Sequence, residues 1–366
     1  MNFFDSFISP EAVELVTETL RSGFVSEGCR VKEFEAAMAN ELGLRNGVAV
    51  NSGTAALHLG LAVAGVGPGD EVLLPAQTFV ASGLSILMQG AKPVFVDIDY
   101  KTGNIDPNEL MGRATERTRA VMPVHWAGLP CEMEAILQTA REQGWTVIED
   151  AAHALGAEYR ARPVGTLSPF TAFSFQAIKH LTTGDGGMLC CSQHEDYRRA
   201  RAQRWFGIDR ERSKPSVLGE RQFDIEEVGF KYHMNDIAAS IGLGNLKGFC
   251  GRLEQRRRLN RVYRDRLNGT AGVQLLESPD DRKSACWLFT ALFESRNELI
   301  EKLVEHEVPV SVVHQGIDKN SVFGGIDDEL TNQRRFDAHQ LSLPLHPGMS
   351  EEAVLGICEL INQGWG

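Results

Sequence analysis

The sequence has no apolar run approaching the roughly 20 residues that a membrane-spanning helix requires, and Met1 to Ile8 lack the basic start and long apolar core of a secretory signal. A soluble chain is expected. No CxxC pair occurs, and the seven cysteines (Cys29, Cys131, Cys190, Cys191, Cys250, Cys286 and Cys358) are scattered and odd in number. That pattern fits reduced thiols in a cytoplasmic protein and not a disulfide frame. Basic residues are in deficit, 37 Lys and Arg against 49 Asp and Glu, for a net charge of -12. Nucleic acid and anionic membrane both call for a basic face, so neither is an expected partner. The histidines occur singly, without ligand spacing, so no metal site is expected. No GxGxxG opens the first helix, which leaves a nicotinamide-dependent dehydrogenase without its fingerprint. Internal repeats and low-complexity segments are absent too.

What is present is a globular composition, 43% hydrophobic over 366 residues, long enough for two domains. Ser9-Pro10-Glu11 reads as a helix start, with Ala12, Leu15, Val16, Thr19 and Leu20 on one face. From Gly47 onward, seven short apolar segments alternate with helical patterns: Val48 to Val50, Glu71 to Leu74, Pro93 to Ile98, Ala120 to Val124, Thr146 to Asp150, Thr171 to Phe175 and Gly187 to Cys191. This is an α/β pattern, a sheet covered on both faces, whose ligands gather at strand carboxyl ends. The character changes near residue 246, so the chain divides into a large domain, 1–245, and a smaller α+β domain, 246–366. In the latter Leu253 to Leu267 reads as a basic helix whose Arg256-Arg257-Arg258 run is a solvated face before it is a phosphate patch. Trp287 to Phe293 and Val308 to Val313 read as strands, and Ser350 to Ile361 as a last helix. The polar stretch from Asp209 to Asp224 reads as a mobile loop.

Four short stretches carry chemistry. In the run from Ser174 to Gly187 a strand ends, Lys179 stands in a loop with no other charged residue before Asp185, and a glycine-rich turn enters the next strand. A lysine among apolar and hydroxyl groups loses solvation, deprotonates more readily and becomes competent for Schiff-base chemistry. Val147-Ile148-Glu149-Asp150 brings two acids to a strand end. Metal binding and acid/base work are open readings; the better one aims Asp150 at a pyridine nitrogen and turns Glu149 to the opposite face as a structural group. Ser52-Gly53-Thr54-Ala55 leads from a strand into a helix, which is either a phosphate cradle or a capped helix. Phe79, just past a strand end, is either core or a flat face for a ring.

In this order the four stretches resemble the DegT/DnrJ/EryC1/StrS group of sugar aminotransferases, with the fold-type-I architecture of aspartate aminotransferase. The resemblance runs from Ser22 to the last helix. It includes Gly23-Phe24-Val25-Ser26-Glu27-Gly28 with Phe34-Glu35, the run from Val228 to Ala239, and Leu341-Ser342-Leu343-Pro344-Leu345-His346-Pro347. By similarity, Lys179 would carry pyridoxal 5'-phosphate and then move the proton, and Asp150 would pair with the ring nitrogen. Phe79 would lie on the ring face, and Gly53, Thr54, Ala55 and Ser174 would hold the phosphate. His153 stands where relatives commonly place a glutamine near the ring hydroxyl. Lys231 and His233 stand where relatives carry asparagine and arginine; the former would reach the phosphate of a neighbouring subunit, which implies a homodimer, and the latter leaves open what receives an incoming carboxylate. Ser26 and His314 would help line the substrate cleft, and His346 is read as part of a turn.

The resemblance implies that L-glutamate gives its amine to the cofactor, leaving as 2-oxoglutarate, and that pyridoxamine 5'-phosphate then aminates a nucleotide-linked ketosugar, in aminosugar biosynthesis for a surface polysaccharide such as O-antigen or a glycosylated metabolite. Lys179 followed by Thr182-Thr183-Gly184-Asp185 is nearer to enzymes acting on 4-keto-6-deoxy sugars than on 3-keto sugars. The rivals are a pyridoxamine-phosphate-dependent sugar 3-dehydratase, in which histidine replaces the lysine, and a non-catalytic regulator on the same fold.

Overall fold

The protein is described here by a computed structural model of residues 2–210 and 213–365. Ser9 opens the first helix, Pro10–Ser22: its Oγ accepts the Ala12 amide at 3.0 Å, and Gly23 closes the helix in the left-handed region at φ 74°. Ala12 and Thr19 are buried against helix Asp236–Leu246, but Leu20, expected on that face, is 55% exposed. The buried stripe is narrow because this helix leans on one neighbour rather than on the sheet.

The seven expected strands form one sheet: β1 (Gly47–Val50), β2 (Glu71–Pro75), β3 (Lys92–Val96), β4 (Thr118–Val121), β5 (Thr146–Asp150), β6 (Phe170–Ser174) and β7 (Gly187–Cys191). Their order is β1-β7-β6-β5-β4-β2-β3; β7 runs antiparallel to both neighbours and the other pairs are parallel. Adjacent residues serve opposite faces: Val147 joins one apolar cluster and Ile148 another. The mostly parallel, helix-covered sheet expected from the sequence is present.

A second sheet, β8 (Val273–Leu275), β9 (Phe289–Phe293) and β10 (Gln340–Leu343), is antiparallel in the order β8-β9-β10. It packs with helices Phe249–Leu267, Arg296–Glu305 and Glu351–Asn362 around Tyr263, whose ring stacks on Phe289 at 4.5 Å. Val308 to Val313 is not a strand. Gln340–Leu343 occupies the free edge of β9, placing Leu343 opposite Phe289, and the 308–313 segment pairs only through Ser311 and Ser342.

The arginine run also departs from expectation. Arg256 is 3% and Arg257 6% exposed, and only Arg258 is on the surface. Arg256 donates to the Leu345 carbonyl at 2.6 Å, and Arg257 to the carbonyls of Ser284 and Gly156, each at 2.8 Å. Both guanidiniums are drawn inward by backbone acceptors that no side-chain pattern advertises. Of the stretch from Asp209 to Asp224, positions 211 and 212 lie outside the described residues; the remainder includes a short antiparallel pair, Lys214–Pro215 with Arg221–Gln222. All seven cysteines are free thiols. Among the described residues no helix is long and apolar enough to cross a membrane, and no cluster of metal-ligating side chains forms.

Candidate active site

The strand ends converge as parallel pairing dictates. Asp150 closes β5 and Ser174 closes β6, Ser52 to Thr54 follow β1, and Phe79 follows β2. Together they border a cavity of about 360 Å³. Gly53 has to be glycine here, because a Cβ would stand 2.8 Å from the Cβ of Ser174. Ser52 caps helix Gly53–Val63 by accepting the Ala55 amide at 3.0 Å. Ala55 therefore does not border the cavity, and the amides of Gly53 and Thr54 remain for an anion at the positive end of the helix.

Lys179 lies in the loop between β6 and β7, which is closed by bonds from the Phe175 amide to Gly186 O and from the Thr183 amide to Phe175 O, at 2.8 and 2.9 Å. Thr182 Oγ1 accepts the Gly184 amide, so both threonines shape the loop. The Lys179 amine is enclosed, 3.8 Å from the centroid of the Trp287 ring. Burial lowers it from 10.5 to about 7, with Asp150 pulling the other way. Such an amine is substantially neutral near pH 7 and can act as a nucleophile.

Asp150 is held from two sides. Its Oδ2 accepts the Ser82 hydroxyl at 2.7 Å, and Oδ1 accepts the Ala152 amide at 3.1 Å. Ser82 in turn accepts from Thr78 at 2.6 Å. Glu149 faces away, as its neighbouring place in the strand requires. His125 Nδ1 accepts the Cys131 amide, which puts the ring proton on Nε2, where it donates to Glu149 at 2.7 Å in a fully buried pair.

Two histidines enter from opposite sides. His153 stacks on Trp287 with ring centroids 3.7 Å apart, and its buried Nδ1 has no hydrogen-bond partner. Burial first, and then Lys179, keeps its basicity well below the ordinary histidine value. His314 directly follows the segment expected to be a strand. It adopts φ 55°, its carbonyl accepts amide protons from Gln77 at 2.7 Å and Gln340 at 3.1 Å, and its ring lies 5.1 Å from Phe79. Burial and Lys179 lower it to about 4, so both rings are neutral at pH 7.

The cavity thus brings together Gly53, Thr54, Phe79, Asp150, His153, Ser174, Lys179 and His314. Ser26 is exposed and apart from it, its carbonyl spent on the Asp236 amide. Lys231 is exposed as well, with Nζ 4.6 Å from the centroid of the Trp205 ring, and reaches no part of this cavity. His346 is buried in its turn, bonded to the Asn2 carbonyl. Sequence reasoning missed Trp287, whose Nε1 donates to Ile178 O at 3.0 Å and ties the small sheet to the lysine loop, and Phe4, stacked on Trp287 at 5.4 Å. No motif marks either; an aromatic just before a strand was the only signal available for Trp287.

A phosphate-sized cradle, a carboxylate fixed at the far end, a flat exposed ring and an enclosed amine of lowered basicity fit pyridoxal phosphate. The unpartnered Nδ1 beside them is consistent with a polar ligand. Comparison with known proteins agrees. The sequence profile of the DegT/DnrJ/EryC1/StrS aminotransferase family matches residues 7–362. The UDP-4-amino-4-deoxy-L-arabinose–oxoglutarate aminotransferase of Shewanella sediminis is 33% identical over 97% of this chain and 96% of that protein. The crystal structure of the sugar aminotransferase CalS13 from Micromonospora echinospora superposes with a TM-score of 0.95 at 32% identity, covering 100% of both chains. The sugar aminotransferase Spr1654 of Streptococcus pneumoniae, solved in PMP and PLP forms, superposes at 0.92 and 0.91 with 29% identity, over 99% of this chain and 98% of that one. By sequence, fold and site the chain belongs to the DegT/DnrJ/EryC1/StrS aminotransferase family and is a pyridoxal-phosphate-dependent sugar aminotransferase.

Proposed function

We propose that the protein transfers the amine of L-glutamate to a nucleotide-linked ketosugar of the 4-keto-6-deoxy type, as a cytoplasmic homodimer that supplies an aminosugar for a surface polysaccharide or a glycosylated metabolite. The observation that carries this reading is the enclosed Lys179 amine in one cavity with a doubly hydrogen-bonded Asp150. When bound, pyridoxal phosphate supplies an electron sink that stabilises the carbanion left as the donor's Cα–H bond breaks.

The chain does the rest. Lys179 Nζ would hold the cofactor through its aldehyde carbon and, when free, would carry the proton between the donor's Cα and C4′. Asp150, fixed by Ser82 and the Ala152 amide, would keep the proton on the ring nitrogen. Gly53, Thr54 and Ser174 would hold the phosphate, Phe79 would cover one ring face, and His153, its ring stacked on Trp287, would meet the ring hydroxyl. His314 borders the space left for substrate. Among the described residues no arginine lines this cavity. A second subunit is accordingly assigned the anionic end of the ligands, with its Lys231 toward the phosphate and its Ser26 toward the sugar. The larger domain is taken as 1–245 and the smaller as 246–366.

The rival dehydration chemistry needs histidine in place of the lysine. Here His180 follows Lys179 but donates its Nε2–H to the Ala285 carbonyl at 2.8 Å and lies outside the cavity. The test is incubation with glutamate and a panel of UDP-, dTDP- and GDP-linked ketosugars. Formation of 2-oxoglutarate matched by aminosugar is the expected result; loss of a sugar hydroxyl with no retained amine would overturn the proposal.

A further inference from the structure

Against the lysine loop lies a second cavity of about 310 Å³ whose wall includes Lys179, His180, Arg252, Gln255 and Arg256. Buried charges in proteins are ordinarily paired with a charge of opposite sign. These two guanidiniums are not: neither Arg252 nor Arg256 has a carboxylate within 4.0 Å among the described residues, although Arg256 is 3% exposed. Each spends part of its donor set on backbone carbonyls. Arg252 bonds to Lys247 O at 2.9 Å and to Asn245 O, and Arg256 bonds to Leu345 O at 2.6 Å and Trp287 O at 3.4 Å. A carbonyl satisfies an N–H but does not cancel a charge. Donors are also left over, since the Arg252 Nε is buried with no acceptor. Burial lowers the basicity of both; at Arg256, brought to about 10, the Cys286 thiol and the Asp5 carboxylate pull the other way without forming an ion pair. The acid in this wall, Asp5, is an exposed residue of the N-terminal segment, and its carboxylate lies 4.0 Å from His346.

In a chain with a net charge of -12, two guanidiniums with no carboxylate in ion-pair contact, side by side in the wall of one part-open cavity, form an anion receptor. We propose that this cavity binds a small oxyanion, a carboxylate or a phosphate, between Arg252 and Arg256. The site is distinct from the phosphate cradle at Gly53: the two linings share Lys179 and no other residue.

The test is isothermal titration of the holoenzyme, its cofactor cradle already filled, with inorganic phosphate and separately with acetate, at constant ionic strength set by chloride. Saturable binding of one anion per chain is expected, weakened at least tenfold in Arg252→Gln and in Arg256→Gln and unchanged in Arg261→Gln on the outer face of the same helix. Arg252 is the less buried of the two, so its variant keeps the test available if Arg256→Gln fails to fold. Binding of phosphate alone identifies a phosphate receptor, and binding of acetate alone a carboxylate receptor. Heats of dilution with both anions, or equal binding in Arg252→Gln, would overturn the proposal.

Discussion

At the residue scale the chemistry turns on how strongly burial acts on one amine. Lys179 binds a proton below about 7 in the folded protein and below 10.5 when unfolded. Between those values the unfolded chain holds more protons, so the stability of the cofactor-free protein rises with pH there, and the penalty is fully present below 7. The shift corresponds to at most about 5 kcal/mol. Lys179→Met should therefore raise the melting temperature of the cofactor-free protein at pH 7 and make little difference near pH 10.5, as calorimetry of the two proteins will show. A variant equally stable to wild type at pH 7 would mean that the amine is not desolvated. For the same reason, the rate of cofactor capture, followed by absorbance, should climb with pH to a plateau with a midpoint near 7.

Trp287 marks the limit of what residue patterns reveal. Lys179, Asp150 and Gly53 were legible because each interrupts a strand-to-loop pattern with a group the pattern does not need. Trp287 acts through a ring face and one N–H, and no local pattern distinguishes that from a core tryptophan. Trp287→Phe keeps the stack on His153 but removes the donor to Ile178 O; a stability loss of about 1 kcal/mol is expected in denaturant titration. Turnover should fall more than the Michaelis constant changes, since the loop that positions the lysine loses its tether.

At the scale of elements, the parallel sheet was readable because strands buried on both faces appear as short, continuous apolar runs. The small sheet was not. Val308 to Val313 is apolar enough for a strand but follows the wall of the cleft to deliver His314, while Gln340–Leu343, only four residues long, completes the sheet through its register with β9. The Arg256-Arg257 pair was misread for a related reason: its partners are backbone carbonyls from distant segments. The approach of β1's end to β6 gives an element-scale prediction. Gly53→Ala inserts a methyl 2.8 Å from the Cβ of Ser174, so the helix must move away from the cradle. Cofactor affinity, read by fluorescence titration, should drop at least tenfold with the fold intact by circular dichroism. Unchanged affinity would show that the phosphate is held elsewhere.

At the scale of the whole molecule, one chain brings eight of the expected site residues to a single cavity and leaves Ala55, whose amide is used by the Ser52 cap, Lys231 and Ser26 outside its lining; the last two are far from it in their contacts. Their place in the proposal is across a two-fold interface, as a homodimer permits. If so, Lys179→Ala and Lys231→Ala subunits should complement each other: in a mixed dimer one site keeps both lysines. Equal mixing should restore about a quarter of wild-type activity from two weakly active parents, a statistical share set by dimer symmetry. A mixture no more active than its parents would place Lys231 outside the reaction.

The most direct test of the central claim is to reduce the cofactor-loaded protein with borohydride, digest it and map the modified peptide by mass spectrometry. A phosphopyridoxyl group on Lys179, lost or strongly reduced in Asp150→Ala, is the predicted result. A modification on another lysine, or none, would contradict the account.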